Sequence, residues 1–437
     1  MNSALKQLPY GASPPGSWNV VPLKYLATLS NGYVFKSDGW TDTGTPIIRI
    51  ENLNGSENFN YSNLALGAKY HVHPGNLLFS WSGNPGTSFG PFRWKNPGLH
   101  FLNQHIFNVS VHGCDKDWLY WSLRAATHWI ERVLTSGMIG MVHVTKEELS
   151  STPIPVPPPE EQRRIAAFLD AETAQIDRLM ELRRRQLEGL KERYNVAISE
   201  LAIPGISSDC SRSQLWPWLP ASIPTTRLGQ IARIQSGVTV HGARERTRVD
   251  AEYPYLRVAN VQGERVDLSE IKTIAIPAPM AVRSTLRTGD VVMTEANGNP
   301  DNLGRGAVWH GEIPEMVHQN HIFAIRVNSR KLTPEFLTLL LASAHGRRYF
   351  RFTSSQVGIA TTSTSKVLSF PVPVRSLEEQ HTAVSEYQQA RAQTGRAADA
   401  LNRQLTLLAE RRQSLITAAV TGQIDVSTAS GRGIDPS

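Results

Sequence analysis

The 437-residue sequence has few of the features that mark membrane-bound, secreted or metal-binding proteins. Cys114 and Cys210 are its only cysteines and have no metal-ligand spacing, and two lone cysteines fit the reducing cytoplasm. Its apolar runs stay well below the ~20 residues that a membrane-spanning helix needs. The N-terminus lacks the charged start and apolar stretch of a signal peptide. We therefore expect a cytoplasmic protein with no metal site and no membrane partner.

The sequence also lacks two motifs that would place enzymatic activity in this chain. It has no G-x-x-x-x-G-K-[ST] loop for a nucleoside triphosphate. It has no Asn- or Asp-Pro-Pro-aromatic motif, which amino-methyltransferases use beside a flipped base. The nearest stretches, Asn84-Pro85-Gly86 and Asn299-Pro300-Asp301, lack the second proline and are typical of turns. We therefore expect no cofactor and no catalytic residue in this chain.

Two short patterns suggest other chemistry but favour a structural role. Asp42-Thr43-Gly44 matches half of an aspartic-protease pair, but that chemistry needs two carboxylates that share a proton. The second half of the chain has no Asp-Thr-Gly or Asp-Ser-Gly. His71 and His73 are spaced like two metal ligands, but no further ligand lies near them in sequence. A hydrolase and a metal site are therefore the weaker interpretations.

The net charge of +7 is concentrated in one part of the chain. Residues 202–375 hold 20 Lys and Arg against 13 Asp and Glu, whereas residues 160–201 hold 8 against 9. Arginine supplies most of the positive charge in residues 202–375, and its guanidinium makes forked contacts to phosphate and to guanine. This distribution favours a nucleic-acid partner, although a solvated basic surface would have the same composition.

What the sequence does contain is an internal repeat. LKYLATLSNGYVF…TPIIRIENLNG (23–55) parallels LGQIARIQSGVTV…YPYLRVANVQG (228–263), HPGNLLFSWSGNPG (73–86) parallels RTGDVVMTEANGNP (287–300), and NQHIFNV (103–109) parallels QNHIFAI (319–325). PIPVPPPEEQ (153–162) returns 218 residues later as PVPVRSLEEQ (371–380). Matched blocks in the same order indicate a tandem duplication of about half the chain.

Each proline–glutamate junction predicts an extended segment that runs straight into a long helix. Proline runs keep the chain extended, glutamates favour the first helical turn, and Ser376 with Glu379 forms an S-x-x-E capping box. The second helix has a heptad seam at Val384, Tyr387, Arg391, Thr394, Ala398, Leu401, Leu405, Leu408, Arg412, Leu415 and Ala419. The first has a less regular seam at Ile165, Leu169, Ile176, Leu179, Leu187, Leu190, Tyr194 and Leu201. Because neither helix can bury its stripe alone, we expect the two to pair.

The parts before the helices predict an α+β fold. IIRI, LLFSW, FNVSV, YLRVA, DVVMT and FAIRV are typical of strands, and the runs at 118–134 and 334–350 are typical of helices. The expected domains are residues 1–159, a long helix at 160–206, residues 207–375, a second long helix at 376–425, and a flexible tail at 426–437.

The junctions, the IDRL at 176–179, the closing ERRQSLITAAVTGQID at 410–425 and the order of the whole chain resemble the specificity subunits of Type I restriction–modification enzymes. Copy two departs from the pattern at Arg375-Ser376 and at His381-Thr382-Ala383. The resemblance implies two tandem target recognition domains, each reading one half of a split sequence in double-stranded DNA. The helices would form an antiparallel coiled coil that sets the separation of these domains and docks two methylase subunits. Restriction subunits would join the complex, and the methylase would bring S-adenosylmethionine.

The polar loops and the matched residues are the candidate DNA contacts. Arg, Asn and Gln side chains read base edges in the major groove, and the loops 80–90 and 294–306 each follow a strand. The candidates are Arg49, Asn52, Ser82, Asn84, Ser88, Gln104, His105, Arg257, Asn260, Asn297, Asn299, Asn302, Arg305, Asn320 and His321. Residues that differ between the copies are the better candidates for reading bases, because shared residues cannot easily distinguish two half-sites. The alternative is a coiled-coil adaptor that binds only protein.

Overall fold

The computed structural model describes residues 13–134, 141–239, 250–299, 302–355 and 359–426. The predicted flexible tail lies outside the described residues except for Val426. The chain divides into two compact units, Met1–Arg183 with Arg403–Ser437 (unit 1) and Arg184–Asn402 (unit 2). Each unit contains one globular part and one half of each long helix. The domain boundaries expected from the sequence stay a prediction.

Unit 1 is built from short strands and helices. Its strands are β1 (Asn19–Pro22), β2 (Ala27–Asn31), β3 (Thr45–Ile48), β4 (Asn60–Ser62), β5 (His71–Val72), β6 (Leu77–Ser80), β7 (Ser82–Gly83), β8 (Gly90–Arg93), β9 (His100–Leu102), β10 (Ile106–Val111), β11 (Val142–His143) and β12 (Pro153–Val156). Its helices are α1 (Ile50–Leu53), α2 (Lys116–Leu134), α3 (Lys146–Ser151) and the first part of the long helix α4 (Pro159–Ala202).

Unit 2 repeats this plan. Its strands are β13 (Thr225–Arg227), β14 (Ala232–Ser236), β15 (Asp250–Leu256), β16 (Val261–Gln262), β17 (Arg265–Val266), β18 (Lys272–Pro277), β19 (Val291–Thr294), β20 (Ala296–Asn297), β21 (Gly306–Val308), β22 (Val317–His318), β23 (Ile322–Val327), β24 (Ala360–Thr361) and β25 (Pro371–Pro373). Its helices are α5 (Ala278–Ser284), α6 (Pro334–Ala342), α7 (Ala344–Thr353), α8 (Thr364–Leu368) and the first part of the long helix α9 (Leu377–Val420).

The main sheet of each unit has the same strand order. The four-stranded antiparallel sheet has the order β2-β10-β6-β8 in unit 1 and β14-β23-β19-β21 in unit 2. Its register pairs Leu77 with Val109 and, in the second copy, Val291 with Ile325. Strands β3 and β9 pair in parallel, as do β15 and β22. The duplication in the sequence is therefore a duplication of the fold, and the predicted α+β class is confirmed.

One predicted helix is divided in two. The run at 334–350 forms α6 and α7, and Ser343 between them has an extended backbone with ψ near 170°. Its hydroxyl donates to the Leu340 carbonyl at 2.7 Å, and the backbone N–H of Ala344 donates to Ser199 Oγ at 2.8 Å. The prediction of one continuous helix was wrong because hydrogen bonds to a residue distant in sequence fix the break.

The two junctions form as the sequence predicts. Each proline segment is a short strand, since β12 pairs with β1 and β25 pairs with β13, and a long helix follows at once. Ser376 N–H and Oγ both lie within 3 Å of Glu379 Oε2, and Ser376 Oγ accepts from Glu379 N–H at 3.2 Å. The backbone and side-chain hydrogen bonds from Ser376 hold the pKa of the Glu379 carboxyl below its usual range. The capping box is confirmed.

A buried glutamine joins each junction to its globular part. Gln162 Nε2 donates to the Pro157 carbonyl at 2.9 Å, and its Oε1 accepts from Asp115 N–H at 2.7 Å. Gln380 makes the same bonds in unit 2, donating to the Arg375 carbonyl at 3.0 Å and accepting from Thr333 N–H at 2.9 Å. Both side chains are almost fully buried. The last residue of the EEQ motif therefore ties the start of each long helix to the chain around it.

The long helices pack through the predicted seams. Every seam position is buried or half-buried except Leu179 and Arg391. In unit 1, Arg412 Nε lies 2.8 Å from Asp177 Oδ1, and Leu169 and Ile416 belong to one buried cluster. From Leu169 to Asp177 the residue numbers of α4 rise, whereas from Ile416 to Arg412 those of α9 fall, so the two segments run antiparallel.

In unit 2, Ile198 and Ala202 of α4 share a buried cluster with Ala383 and Val384 of α9. The antiparallel coiled coil is confirmed. Within the described residues, no helix is both long enough and apolar enough to span a lipid bilayer.

We expect Gln380→Ala to destabilise unit 2, because it leaves the Thr333 N–H and the Arg375 carbonyl without their partner. Leaving a buried polar group unpaired costs about 1–3 kcal/mol. Urea unfolding followed by circular dichroism measures the change. Gln389→Ala is the matched control, since Gln389 is an exposed glutamine of the same helix. Equal stability of the two variants would contradict the role given to Gln380.

Candidate nucleic-acid interface

The candidate interface of unit 1 lies where β6 and β10 meet. Trp81, directly after β6, donates its backbone N–H to the His105 carbonyl at 3.3 Å. Its own carbonyl accepts from Val144 N–H at 3.0 Å. Two backbone hydrogen bonds therefore fix where the Trp81 side chain leaves the sheet.

Unit 2 uses the same two hydrogen bonds at the same place. Glu295, directly after β19, donates its backbone N–H to the His321 carbonyl at 2.9 Å, and its carbonyl accepts from Thr362 N–H at 2.9 Å. Trp81 and Glu295 thus occupy equivalent positions of the duplicated backbone, which we call the repeated frame. The frame holds an aromatic ring in one unit and a carboxylate in the other.

The side chains around Trp81 form an aromatic group with polar edges. Its ring centroid lies 5.2 Å from that of His105 and 6.3 Å from that of His143. Trp81 Nε1 donates to the Gln104 carbonyl at 2.9 Å. Gln104 Oε1 and His105 Nδ1 are buried and have no hydrogen-bond partner among the residues that the structure describes. Because buried polar atoms usually find a partner, these two atoms are available for a hydrogen bond with a bound ligand or with water.

The side chains of Glu295 and His321 form a hydrogen bond. Glu295 Oε2 lies 2.8 Å from His321 Nδ1, and the two side chains are 31% and 54% exposed. A carboxylate beside an imidazole offers an acceptor and a donor at one point. Both are accessible to a ligand, and their chemistry differs from that of the Trp81 group.

The loop after Trp81 is a closed turn. Ser88 Oγ accepts from Asn84 N–H at 2.7 Å, and Ser88 N–H donates to the Asn84 carbonyl at 3.1 Å. Gly86, with φ of +72°, gives the turn its left-handed residue. The expected turn at Asn84 is confirmed. It exposes the Asn84 side chain and buries those of Ser82 and Ser88.

The matching loop of unit 2 is described except for residues 300 and 301, so the expected turn at Asn299-Pro300-Asp301 lies partly outside the described residues. Asn297 Oδ1 accepts from Asn299 N–H at 2.9 Å, and Asn302 N–H donates to the Asn299 carbonyl at 3.0 Å. Asn299 and Arg305 are exposed, whereas Asn297 and Asn302 are half-buried. The described part of this loop therefore exposes an arginine, Arg305, which the loop of unit 1 lacks. Asn320, beside His321, is half-buried.

Two arginine–asparagine pairs that both copies share hold the frame. Asn52 and Asn260 are buried, and each accepts from the backbone N–H of the arginine three residues earlier at 2.9 Å. Arg49 lies 3.3 Å from Glu51, and Arg257 lies 3.2 Å from Glu270. These contacts support a role in the fold. DNA contact by these residues stays a prediction, and so does contact by Ser82 and Ser88.

Sequence reasoning missed Trp81, His143 and Glu295. The signal for two of them was present, since the aligned blocks HPGNLLFSW and RTGDVVMTE end on Trp81 and Glu295. A difference at one position of the repeat is what a base-reading residue should show. His143 had no such signal, because pairing of β11 with β7 brings it to the site.

The other candidate chemistries gain no support. His71 Nε2 lies 2.9 Å from the Leu66 carbonyl, so that ring nitrogen already has a partner. In the described parts of the chain, no group of three or more His, Cys, Asp or Glu side chains is placed to hold a metal ion.

The chain is similar to known proteins along nearly all of its length. Residues 15–189 match the model of the Type I restriction modification DNA specificity domain. The Type I restriction enzyme EcoBI specificity subunit of Escherichia coli is 23% identical over 435 residues, covering 96% of this chain and 88% of that relative. The StySPI specificity subunit of Salmonella potsdam is 26% identical over 447 residues, covering 97% and 92%.

A solved structure agrees with the fold. It is described as the structural basis of complex assembly and conformational transition of the type I R-M system. It covers 94% of this chain and 100% of its own, with a TM-score of 0.68 and 16% identity. With the junctions, the duplicated frame and the paired helices, these likenesses confirm the predicted resemblance to the specificity subunits of Type I restriction–modification enzymes.

Proposed function

We propose that this chain selects the DNA sequence on which a Type I restriction–modification complex acts. Each unit reads one half of a bipartite target in double-stranded DNA, and the paired helices dock the methylase subunits. The observation that carries the proposal is the repeated frame that holds Trp81 in one unit and Glu295 in the other through the same hydrogen bonds. A backbone that presents a different side chain at the same accessible position in each unit is suited to reading two different half-sites.

The side chains at the Trp81 and Glu295 positions are suited to recognition of bases in the major groove. A carboxylate such as that of Glu295 can accept from the N4 amino group of cytosine, and a glutamine such as Gln104 can pair with adenine. Asn84, Asn299 and Arg305 are exposed at the neighbouring loops and supply further donors and acceptors. Contacts to phosphate position such a protein, and base-edge contacts give its specificity.

Catalysis is assigned to the partners. We propose that two methylase subunits bring S-adenosylmethionine and transfer the methyl group, and that restriction subunits join the same complex. The chain itself supplies no catalytic group and acts with its partners in the cytoplasm. The free thiols of Cys114 and Cys210 suit that reducing compartment.

The helices offer an apolar surface for docking. In unit 1, Leu179, Leu182 and Leu407 are 45%, 49% and 63% exposed. A groove of about 280 Å³ is lined by Leu179, Arg183, Gln404, Leu407, Leu408 and Arg411. Exposed apolar groups that cluster on one surface commonly mark a protein partner site, so we place a methylase contact here.

Exchanging the globular part of unit 2 tests the proposed function. We expect replacement of residues 207–370 with the matching region of a relative to change one half-target only, because each unit has its own frame. The variant is co-expressed with the methylase subunit, and adenine methylation is mapped by sequencing. The chain purified alone should transfer no methyl group. A change in both half-targets, or methylation without sequence preference as expected for a protein-only adaptor, would exclude the proposal.

We expect Glu295→Gln to relax or change the preference at one base of the half-target read by unit 2. A matched side chain discriminates between bases by about 1–3 kcal/mol, so the ratio of methylation at matched and altered sites should fall roughly 5- to 150-fold. Methylation mapping with the methylase subunit gives this ratio. Glu312→Gln is the control, since Glu312 is exposed elsewhere in unit 2. An unchanged target for Glu295→Gln would remove this residue from the reading surface.

We expect Leu407→Asp to weaken methylase docking, because a charge on the apolar groove opposes its burial in an interface. Co-purification of the two subunits and analytical ultracentrifugation measure the decrease in binding. Val282→Asp is the control, since Val282 is 76% exposed on α5, away from the long helices. If both variants bound the methylase equally well, the contact would have to lie elsewhere on the chain.

A further inference from the structure

Unit 2 contains a polar cavity of about 320 Å³ beside the long helices. The hairpin of β16 and β17, the end of the loop after β20 and both long helices contribute to its walls. It is lined by Tyr194, Asn195, Gln262, Gly263, Glu264, Arg265, Arg305, Gly306, Ala342, Arg347 and Arg391. Four of these side chains are guanidinium groups and one is a carboxylate, so the lining carries a net positive charge.

The single carboxylate is already engaged. Glu264 Oε2 lies 3.2 Å from Arg391 Nε and 3.4 Å from the Tyr194 hydroxyl. Burial, followed by the charge of Glu264, raises the pKa of Tyr194 and of Tyr387, so both phenols are neutral at physiological pH. Glu264 therefore orients Arg391, and within the described residues it forms no ion pair with Arg265 or Arg305.

Arg265 and Arg305 have their donors available. Within the described residues, neither forms an ion pair or a side-chain hydrogen bond, and both are exposed at the cavity. Gly263, with φ of +64°, turns the hairpin so that a Cβ there would lie 3.8 Å from Arg305 Cδ. The turn thus brings the Arg265 hairpin next to Arg305.

Two of the cavity arginines have uncharged counterparts in unit 1. In unit 1, Phe79 pairs with Pro91 and Ser80 with Gly90, and in unit 2 Met293 pairs with Gly306. Continuing the second register by one residue aligns Arg305 of unit 2 with Gly90 of unit 1. The repeat of 218 residues places Thr173 where α9 has Arg391, and the Thr173 hydroxyl donates to the Leu169 carbonyl at 2.6 Å. At these two positions, unit 1 therefore lacks the arginines that line the cavity of unit 2.

We propose that this cavity is a binding site for a phosphate group. Guanidinium groups match the oxygens of phosphate with forked hydrogen bonds, and the exposed forks of Arg265 and Arg305 face the same space as Arg391. The ligand is either a free phosphate compound or one phosphate of the DNA backbone.

The first experiment uses the full chain and inorganic pyrophosphate, with isothermal titration calorimetry as the measurement. Arg265→Ala with Arg305→Ala should weaken binding at least about tenfold, because each removes charge-assisted hydrogen bonds. Glu264→Gln should strengthen binding severalfold, because it removes the opposing charge. Arg330→Ala is the control, since Arg330 is exposed in unit 2 outside the cavity. Circular dichroism checks that each variant is folded.

The second experiment identifies a DNA source. Binding of duplex DNA is measured at several salt concentrations, and the double arginine variant should lower the slope of log affinity against log salt by about 1 for each phosphate that the variant no longer neutralises. Weaker pyrophosphate binding supports a free phosphate ligand, and a lower slope supports the DNA backbone. If the double variant matches Arg330→Ala in both measurements, the inference is overturned. The pyrophosphate measurement does not depend on the proposed function. The phosphate-site inference and the proposed function can therefore fail independently.

Discussion

The buried glutamine at each junction is the contact on which the rest of the molecule depends. Gln162 and Gln380 each join three things: the proline segment before the helix, the first turn of the helix, and a backbone N–H of the globular part. A buried amide held by both its oxygen and its nitrogen has little freedom to shift. The direction in which each long helix leaves its globular part is therefore fixed by local hydrogen bonds as well as by apolar packing. The same contact occurs in both copies, so the two long helices begin in the same way.

A frame of this kind allows the exposed side chains to change without changing the fold. Trp81 and Glu295 leave the sheet from equivalent backbone positions, yet one is an indole among histidines and the other a carboxylate paired with a histidine. Their backbone hydrogen bonds do not involve the side chain, so the frame is indifferent to which residue stands there. Asn52 and Asn260 show the opposite behaviour. Their side chains supply the hydrogen bonds that hold the turn, so the two copies keep the same residue.

The sequence predicted much of the fold because its signals are local. The strands around LLFSW and DVVMT, the capping box at Ser376 and the heptad seam of α9 depend on spacing along the chain, and the structure has them where they were expected. The break at Ser343 depends on Ser199, far away in sequence, and no local pattern marks it. The candidate site depends on contacts that are not local. The sequence shows which residues differ between the copies, but not which of them lie on one surface.

The sequence by itself determined that the chain is a duplicated α+β unit followed each time by a long helix, since periodicity, capping and repetition depend only on the order of residues. Only the tertiary structure decided which side chains share a surface. His143 joins Trp81 through a two-residue strand pair, and Arg265, Arg305 and Arg391 meet across a hairpin, a loop and a helix. Such groupings depend on strand register and helix packing, which bring together residues that the chain keeps far apart.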